Sequence, residues 1–424
     1  MDHGIRVSYL VWKMLDPLGT YSREALRDIC FLSILHDIGA YKTEEINRML
    51  DFETDHIWEH SIYGYLFMRC FSPLESKAAV ILLHHITWDV LKQQEEVSDE
   101  IKEISQVLFL ADRIDVSMEV EQNSWERTLE IVRAGSGTRF SPAAVALAET
   151  LSFTLPLEEA AVADTEYYHT LSDYLLTHAQ ITDYQKMIIF SIDFRSRHTV
   201  THTVTTTSIS AELAGYMGLD EHTCNQIVCG ALLHDIGKIG IPVEILEYPG
   251  RLSSQAMAVM RTHVDICEKI FGGEIEETIA RIALRHHEKM NGSSYPKGLS
   301  AADLTIPERI VAVADIISAL AGTRSYKAAY GKDRIISILT DMIRNGLIDA
   351  GITETAISHY DEIMELTRVR CSPLISIYHG IQDEYQALIQ ASSAEHMIRM
   401  AWKRNRSQPD PMSTEGSSPT ALHR

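Results

Sequence analysis

Apolar residues recur along most of this 424-residue chain at the three- and four-residue spacing that is typical of amphipathic helices. Stretches with strict alternation, which would indicate strands, are few. The stretch 101–118 has apolar residues on most of its faces, which predicts a central helix. We therefore predict an all-α protein. The clearest predicted helices cover residues 5–15, 26–35, 57–71, 74–85, 101–118, 204–217 and 307–320.

Local signals place several helix ends. Ser141 is a good N-cap with Pro142 in the first helical position, and Ser253 begins another helix in the same way. The Thr- and Val-rich run 199–207 is the exception, because β-branched residues have low helix propensity and local rules also allow a strand there. We predict a helix for it from the periodicity that follows.

The composition narrows the function classes. A net charge of −21 argues against binding long nucleic acid, which needs a basic face, but it leaves room for a small anionic substrate. The six cysteines show no CxxC spacing, so we predict reduced thiols. No apolar run reaches the roughly 18 residues of a membrane span, and the chain does not begin with a signal-peptide pattern. We therefore expect no membrane insertion and a cytoplasmic location.

An ordered set of seven polar residues occurs twice. The first histidine precedes a His-Asp pair by 33 residues in one copy (His3 to His36) and by 32 in the other (His202 to His234). The later gaps also agree to within five residues, which predicts two tandem copies of one helical domain. The first set is His3, His36, Asp37, His60, His84, His85 and Asp112. The second set is His202, His234, Asp235, His263, His286, His287 and Asp315.

These residue types suit a metal centre. Asp235 follows the apolar run 227–233, while Asp112 and Asp315 each lie in an apolar helix, where an ionised carboxylate needs a charged partner or a metal. Five histidines and two aspartates exceed what one tetrahedral zinc requires, so we predict at least two ions, such as Fe or Mn, that share a carboxylate. Two close ions suit attack on a phosphodiester. The alternative is a set of helix-end histidines that hydrogen-bond to the backbone.

The second set and its surroundings resemble the HD-GYP domain, a bacterial cyclic di-GMP phosphodiesterase type within the HD superfamily of metal-dependent phosphohydrolases. The similarity extends over roughly residues 190–345. It is carried by His202, 233–242 (LHDIGKIGIP), 249–252 (PGRL), His263, 286–288 (HHE), 291–299 (NGSSYPKGL), 306–310 (IPERI), 313–315 (VAD) and 324–327 (RSYK).

The resemblance implies a helical bundle with two or three divalent ions, bridged by Asp235, and a metal-activated hydroxide that attacks the phosphodiester. Lys238 would hold a phosphate oxygen and act in catalysis with Asp235. The second phosphate would contact Arg309, Lys327 and Arg324, and Tyr295 and Pro296 would shape the substrate mouth. His198 is a candidate ligand for a third ion, with a solvent-facing histidine as the alternative. The implied metal ligands are His202, His234, Asp235, His263, His286, His287 and Asp315.

Two positions depart from the HD-GYP pattern. Ser294 stands where the signature Gly-Tyr-Pro has glycine, which would cost strain if a positive φ were needed there. Asn291 stands where aspartate is usual, which removes a charge near the mouth. Neither change removes a metal ligand, so we expect catalysis to survive.

The first half is similar to a generic HD domain. It has Ala40 at the position of Lys238, and no Tyr-Pro loop follows His85. We predict that this copy, with candidate ligands His3, His36, Asp37, His60, His84, His85 and Asp112, does not hydrolyse the dinucleotide and has a regulatory or structural role.

We predict two tandem HD-type bundles followed by further helices and a disordered tail. The leading functional hypothesis is a phosphodiesterase for cyclic di-GMP; a guanine–adenine cyclic dinucleotide, another nucleotide, and a non-catalytic binding adaptor are the alternatives. A diguanylate-cyclase-type protein is a candidate partner, and a homodimer is a candidate assembly. The predicted boundaries are 1–152 (first domain), 153–185 (connector), 186–345 (catalytic domain), 346–402 (C-terminal helices) and 403–424 (tail).

Overall fold

The protein is described here as a computed structural model. The described residues are 3–40, 58–153, 155–172, 200–246, 248, 250–322 and 330–405, with the isolated positions 177, 180, 183, 184 and 187. Within these ranges the ordered elements are helices, and the bridge-type pairs Ser136–Phe140 and Asn291–Ser300 are isolated. The prediction of an all-α protein is confirmed. The predicted tail lies almost wholly outside the described residues.

The described helices fall into two compact units. The first unit comprises residues up to Met187 and again from His379 onward, and the second lies between them. The helices up to residue 187 are α1 (His3–Leu15), α2 (Arg23–Ile34), α3 (Trp58–Phe71), α4 (Ala78–Leu83), α5 (Trp88–Leu91), α6 (Asp99–Asp115), α7 (Trp125–Ala134), α8 (Pro142–Ala148), α9 (Leu157–Ala163) and α10 (Thr165–Ser172).

The later helices are α11 (Val200–Tyr216), α12 (Glu221–Leu233), α13 (Val243–Leu246), α14 (Ser254–Arg261), α15 (His263–Phe271), α16 (Glu277–Leu284), α17 (Ile306–Ala321), α18 (Lys332–Arg344), α19 (Ala350–Ser358), α20 (Tyr360–Ile389) and α21 (Ala394–Asn405). Helix α11 includes most of the Thr- and Val-rich run, so tertiary packing overrides its low propensity. Ser141 and Ser253 cap α8 and α14 through their hydroxyls, as predicted.

The second unit is built around α11, which packs against α12 and α17, while α12 packs against α16. The buried core of this unit is mainly aliphatic and includes Ile209 and Leu213 on α11 together with Ile310 and Val313 on α17. Apolar residues at three- and four-residue spacing therefore bury one continuous stripe of each helix, as the sequence pattern predicts.

The first unit repeats this packing scheme. Helix α1 packs against α2 and α6, and α4 packs against α3 and α6. Helices α9 and α10, which fall in the predicted connector, pack on α1 and α2. Tyr167 on α10 is buried there, and its hydroxyl donates to Ser8 Oγ at 2.9 Å.

The C-terminal helices belong to both units. The part of α20 from His379 onward, and α21 after it, group with the first unit. There Arg69 on α3 donates to both carboxylate oxygens of Glu384 on α20, at 2.9 and 2.7 Å. Packing thus groups the described residues differently from the boundaries drawn along the sequence, which stay a prediction.

All six cysteines are free, as expected for reduced thiols. Among the described residues, no helix combines the length and the apolar character that a membrane crossing requires.

A short 3-10 helix, Ile236–Gly240, follows α12 and packs closely on α15. A Cβ added to Gly237 would lie 1.9 Å from the His263 carbonyl oxygen and 2.7 Å from the Cys267 nitrogen, both backbone atoms. Gly237 is therefore required by space, because any side chain would push α15 away from α12.

We expect Gly237→Ala to destabilise the protein by about 3 kcal/mol or more, because the backbone of α15 cannot give way cheaply. Gly215→Ala is the matched control, since its added Cβ would meet nothing within 4 Å on α11 and should stabilise by up to about 1 kcal/mol. Urea denaturation followed by circular dichroism measures both. Equal midpoints for the two variants would contradict the steric argument.

Candidate metal centre

The His-Asp pair lies directly after α12. The buried residues Ile227, Val228, Ala231 and Leu233 hold the end of this helix in the core, so the chain delivers both polar side chains into an apolar setting. His234 is completely buried and Asp235 is 4% exposed. Such burial is costly for an ionised carboxylate without compensating partners.

One group of possible ligands gathers at Asp235 Oδ2. His202 on α11, His234 and Asp235 each place a ligand atom within 4.8 Å of the others. The Nε2 atoms of His234 and His202 lie 3.1 and 3.7 Å from Asp235 Oδ2. Asp315 on α17 completes this side, with its Oδ1 at 3.0 Å from His202 Nε2.

A second group gathers at the other oxygen of the same carboxylate. His263, at the first position of α15, places Nε2 3.7 Å from Asp235 Oδ1. His286 and His287, which follow α16, lie within 4.8 Å of His263 by their ligand atoms. The structure therefore brings all seven predicted residues of the second half together, with Asp235 between two groups.

Backbone carbonyls orient three of these imidazoles. The Nδ1 atoms of His234, His263 and His286 each donate to the carbonyl three residues earlier, at 2.6 Å in every case. This is the backbone bonding that the alternative interpretation anticipated, but it satisfies only one nitrogen of each ring. The three Nε2 atoms are buried and have no hydrogen-bond partner.

Burial and neighbouring charge set the protonation states. Burial lowers the pKa of His263, takes that of His286 well below its usual range and lowers that of His287 to about 3, so these rings are neutral. Burial alone would raise the pKa of Asp235, but His234 and Lys238 outweigh it and hold that pKa well below the usual range. Burial by itself would lower the pKa of His234, but Asp235 raises it to about 9. Metal binding at His234 would therefore displace a proton, whereas His263, His286 and His287 are already in the neutral form that binds metal.

This donor set fits a metal centre. Histidines that donate Nδ1 to a carbonyl while presenting Nε2 as a lone pair are the usual arrangement around a metal. The orphaned Nε2 atoms on both sides of Asp235 would gain ligand bonds that the protein alone does not supply. Nitrogen and carboxylate ligands in this number suit divalent transition ions.

Lys238 and Tyr295 lie at the edge of this cluster. The Lys238 ammonium forms an ion pair with Asp235 Oδ2, and its side chain is 19% exposed. The Tyr295 ring packs on His287 with centroids 4.8 Å apart, and Arg261 lies over the same ring at 4.7 Å. Sequence reasoning missed Arg261, because nothing in the spacing links the end of α14 to this loop.

Arg309 has internal partners. Its guanidinium donates to Asp349 at 2.9 Å and to the carbonyls of Ala301 and Leu304 at 2.6 and 3.0 Å. These bonds fix the start of α17, and its predicted contact with a substrate phosphate stays a prediction. The other predicted phosphate contacts, Arg324 and Lys327, and the candidate third-metal ligand His198 lie outside the described residues.

The loop between α16 and α17 accommodates its two unusual residues. The positive φ angles belong to Gly292 (73°) and Gly298 (66°), and Ser294 has none, so serine carries no left-handed strain there. Asn291 Oδ1 accepts hydrogen bonds from the backbone nitrogen and the hydroxyl of Ser293, at 3.1 and 2.7 Å. The amide oxygen therefore forms this turn without the negative charge of an aspartate. The Tyr295–Pro296 peptide bond is cis.

Glu288 anchors the far side of this loop. Its carboxylate is buried and accepts from the backbone nitrogens of Lys297 and Leu299, at 2.7 and 2.9 Å. Sequence reasoning grouped Glu288 with the two histidines before it without giving it a role. Its position directly after two ligands was the available signal.

The candidate ligands of the first unit also form two groups. One holds Asp37 with three histidines from α3 and the turn after α4, and the other joins residues of α1, the turn after α2 and α6. The members are Asp37, His60, His84 and His85 in one group and His3, His36 and Asp112 in the other.

Comparison with known proteins finds an HD domain match and relatives that are named as cyclic-dinucleotide phosphodiesterases. A sequence profile of the HD domain matches residues 186–352. The 3'3'-cGAMP-specific phosphodiesterase 1 of Vibrio cholerae is 27% identical over 393 residues, 87% of this chain and 89% of that protein. The cyclic di-GMP phosphodiesterase response regulator RpfG of Xanthomonas campestris is 38% identical over 152 residues, 35% of this chain and 40% of that protein.

A solved structure supports the fold. A crystal structure described as a cyclic GMP-AMP-specific phosphodiesterase of V. cholerae superimposes with a TM-score of 0.54. The match covers 85% of this chain and 92% of that one, at 22% sequence identity. The match therefore includes residues of both described units, which supports the helical fold of each.

The Glu288 contacts predict a change in loop protection. Glu288→Gln leaves one acceptor oxygen where the carboxylate has two, so one of the two backbone donors is left without its partner at a cost of about 1–3 kcal/mol. We expect hydrogen exchange at Lys297 and Leu299 to accelerate by roughly 10- to 100-fold. The exposed Glu274→Gln serves as the control, and unchanged exchange in both variants would contradict the anchoring role.

Proposed function

Because residues 186–352 belong to the HD domain family, we propose that this chain is a metal-dependent phosphodiesterase that opens a cyclic dinucleotide at a centre built around Asp235. The observation that carries the proposal is the gathering of seven ligand-type residues in one buried cluster, with three imidazoles at the two oxygens of Asp235. The orphaned Nε2 atoms beside it have no structural explanation within the protein.

Each side of the centre has defined ligands in this proposal. His202, His234 and Asp315 would hold one ion and His263, His286 and His287 the other, with Asp235 shared. Bound ions would supply Lewis-acid activation of water and neutralise charge that develops on the phosphodiester. Fe or Mn suits this mixture of imidazole and carboxylate ligands.

The chain's own groups complete the site. Lys238 places a cation beside the bridging carboxylate, where it can bind a phosphate oxygen and stabilise charge in the transition state. Tyr295, which contacts Arg261 and His287, contributes an aromatic wall to the mouth beside the metal ligands. Glu288 keeps the loop that carries this wall in place.

Two cyclic dinucleotides are candidates. A relative that aligns with 87% of this chain is named as specific for 3'3'-cGAMP, which favours the guanine–adenine dinucleotide. Cyclic di-GMP, the substrate expected from the HD-GYP resemblance, is the second candidate and is supported by a relative that aligns with 35% of the chain. A cyclase-type partner, a homodimer and a cytoplasmic location remain proposals.

Turnover tests the proposal directly. Full-length protein loaded with Mn(II) or Fe(II) should convert 3'3'-cGAMP or cyclic di-GMP to a linear product, measured by chromatography. Asp235→Ala should lower kcat/KM by about 10³-fold or more, since losing the shared ligand removes several kcal/mol of transition-state stabilisation. Asp265→Ala, an exposed change on α15, should leave the rate unaltered. Binding of either dinucleotide without any product would instead identify a binding adaptor.

Lys238 can be tested apart from the metal ligands. Lys238→Met keeps most of the aliphatic stem but removes the cation, and we expect kcat/KM to fall by about 10²- to 10³-fold. Metal content, measured by mass spectrometry, should equal that of wild type. An unaltered kcat/KM would mean that Lys238 serves only as a counter-ion for Asp235.

A further inference from the structure

The first unit reproduces the geometry of the second at one end of its cluster. His36 Nε2 lies 3.4 Å from Asp37 Oδ2, where the corresponding distance from His234 to Asp235 is 3.1 Å. His3 Nε2 lies 3.6 Å from the same Asp37 oxygen and 3.4 Å from Asp112 Oδ1. These separations are what two ligands of one metal ion show at bond lengths of about 2.1 Å.

The other end of the cluster also matches. His60 Nε2 lies 3.7 Å from Asp37 Oδ1, the same distance as between His263 and Asp235. His84 Nε2 lies 3.9 Å from that oxygen. Asp37 therefore stands between two groups of imidazoles, as Asp235 does.

Buried ligand atoms in this cluster have no partner within the protein. The Nδ1 atoms of His36 and His84 donate to the carbonyls of Ser33 and Ile81, at 2.8 and 2.6 Å, which directs their Nε2 atoms inward. Those two Nε2 atoms, His85 Nε2 and Asp37 Oδ1 are buried without a hydrogen bond. Orphaned polar atoms this deep need a ligand to justify their burial.

The backbone next to the cluster has the same close glycine contact in both units. A Cβ on Gly39 would lie 2.0 Å from the His60 carbonyl oxygen, as one on Gly237 would lie 1.9 Å from that of His263. Both units therefore use a glycine to bring the turn after the His-Asp pair against the helix that carries the next histidine.

We propose that the first unit holds a second metal centre, with two divalent transition ions bridged by Asp37. His3, His36 and Asp112 bind one ion, and His60, His84 and His85 bind the other. This centre rests on its own residues and does not depend on the proposed hydrolytic activity of the second unit.

The two centres differ in the place of their cation. Ala40 leaves Asp37 without the ammonium that Lys238 gives Asp235, whereas Arg113 donates to Asp112 Oδ2 at 3.0 and 2.7 Å. The corresponding position in the second unit is Ile316, which packs on the core. The first centre thus has a cation beside Asp112 but none beside the bridging carboxylate, Asp37. This difference suits a regulatory or structural role for the two metal ions.

Metal counting on the full-length chain tests this inference. The protein is stripped of metal, reloaded with Mn(II) and desalted, and its manganese is measured by mass spectrometry for wild type, Asp37→Ala, Asp235→Ala and the double variant. We expect each single variant to keep about half of the wild-type manganese and the double variant to keep almost none. Asp99→Ala, an exposed change in the first unit, should keep all of it.

Asp235→Ala makes the test independent of how Asp37→Ala folds. In that variant the first unit is intact, so its remaining Mn(II) should give the spin-coupled electron paramagnetic resonance signal of two close ions. Asp235→Ala protein without manganese, or Asp37→Ala protein with wild-type content, would overturn the inference. Turnover is measured in a separate experiment. A result that contradicts the proposed hydrolytic activity therefore does not contradict the proposed metal centre of the first unit, and the reverse also holds.

Discussion

The structure of the second unit depends on keeping one carboxylate ionised inside an apolar helical core. Asp235 follows the buried end of α12, where burial by itself would favour the neutral acid. Three imidazoles and one ammonium surround its two oxygens. His202 comes from α11 and His263 from α15, whereas His234 and Lys238 flank Asp235 after α12, so these three helices must hold their mutual positions for the carboxylate to be tolerated. The close contact between Gly237 and the backbone of α15 likewise helps to fix the position of α15.

Most of the fold and the composition of the cluster could be predicted from the sequence. Periodicity identifies the helices because each buries a single apolar stripe, and two ordered sets of ligand-type residues single out the seven positions of the second unit. The Thr- and Val-rich start of α11 was correctly predicted as helix only because the apolar periodicity after it outweighed local propensity. Packing against α12 and α17 supplies the physical reason.

Other features lie beyond sequence reasoning because they depend on contacts between distant segments. The strain suspected at Ser294 is absent, since the left-handed conformations fall on Gly292 and Gly298. The resemblance implies that Arg309 contacts a phosphate, and the sequence does not reveal that its guanidinium donates to three internal acceptors. Nor does composition reveal that the end of α20 packs in the first unit, where Glu384 pairs with Arg69 across 315 residues of chain.

The likeness of the two clusters bears on where substrate choice resides. Ligand types, the distances at Asp37 and Asp235 and the glycine contact beneath them are nearly the same in both units. Because these features are so similar, they do not explain any difference in chemistry between the two units. The differences are the cation at Lys238, the arginine at Arg113 and the Tyr295 loop anchored by Glu288. In the second unit Lys238 and Tyr295 are partly exposed at the edge of the cluster, so under the proposed function they, more than the candidate metal ligands, are in a position to select among cyclic dinucleotides.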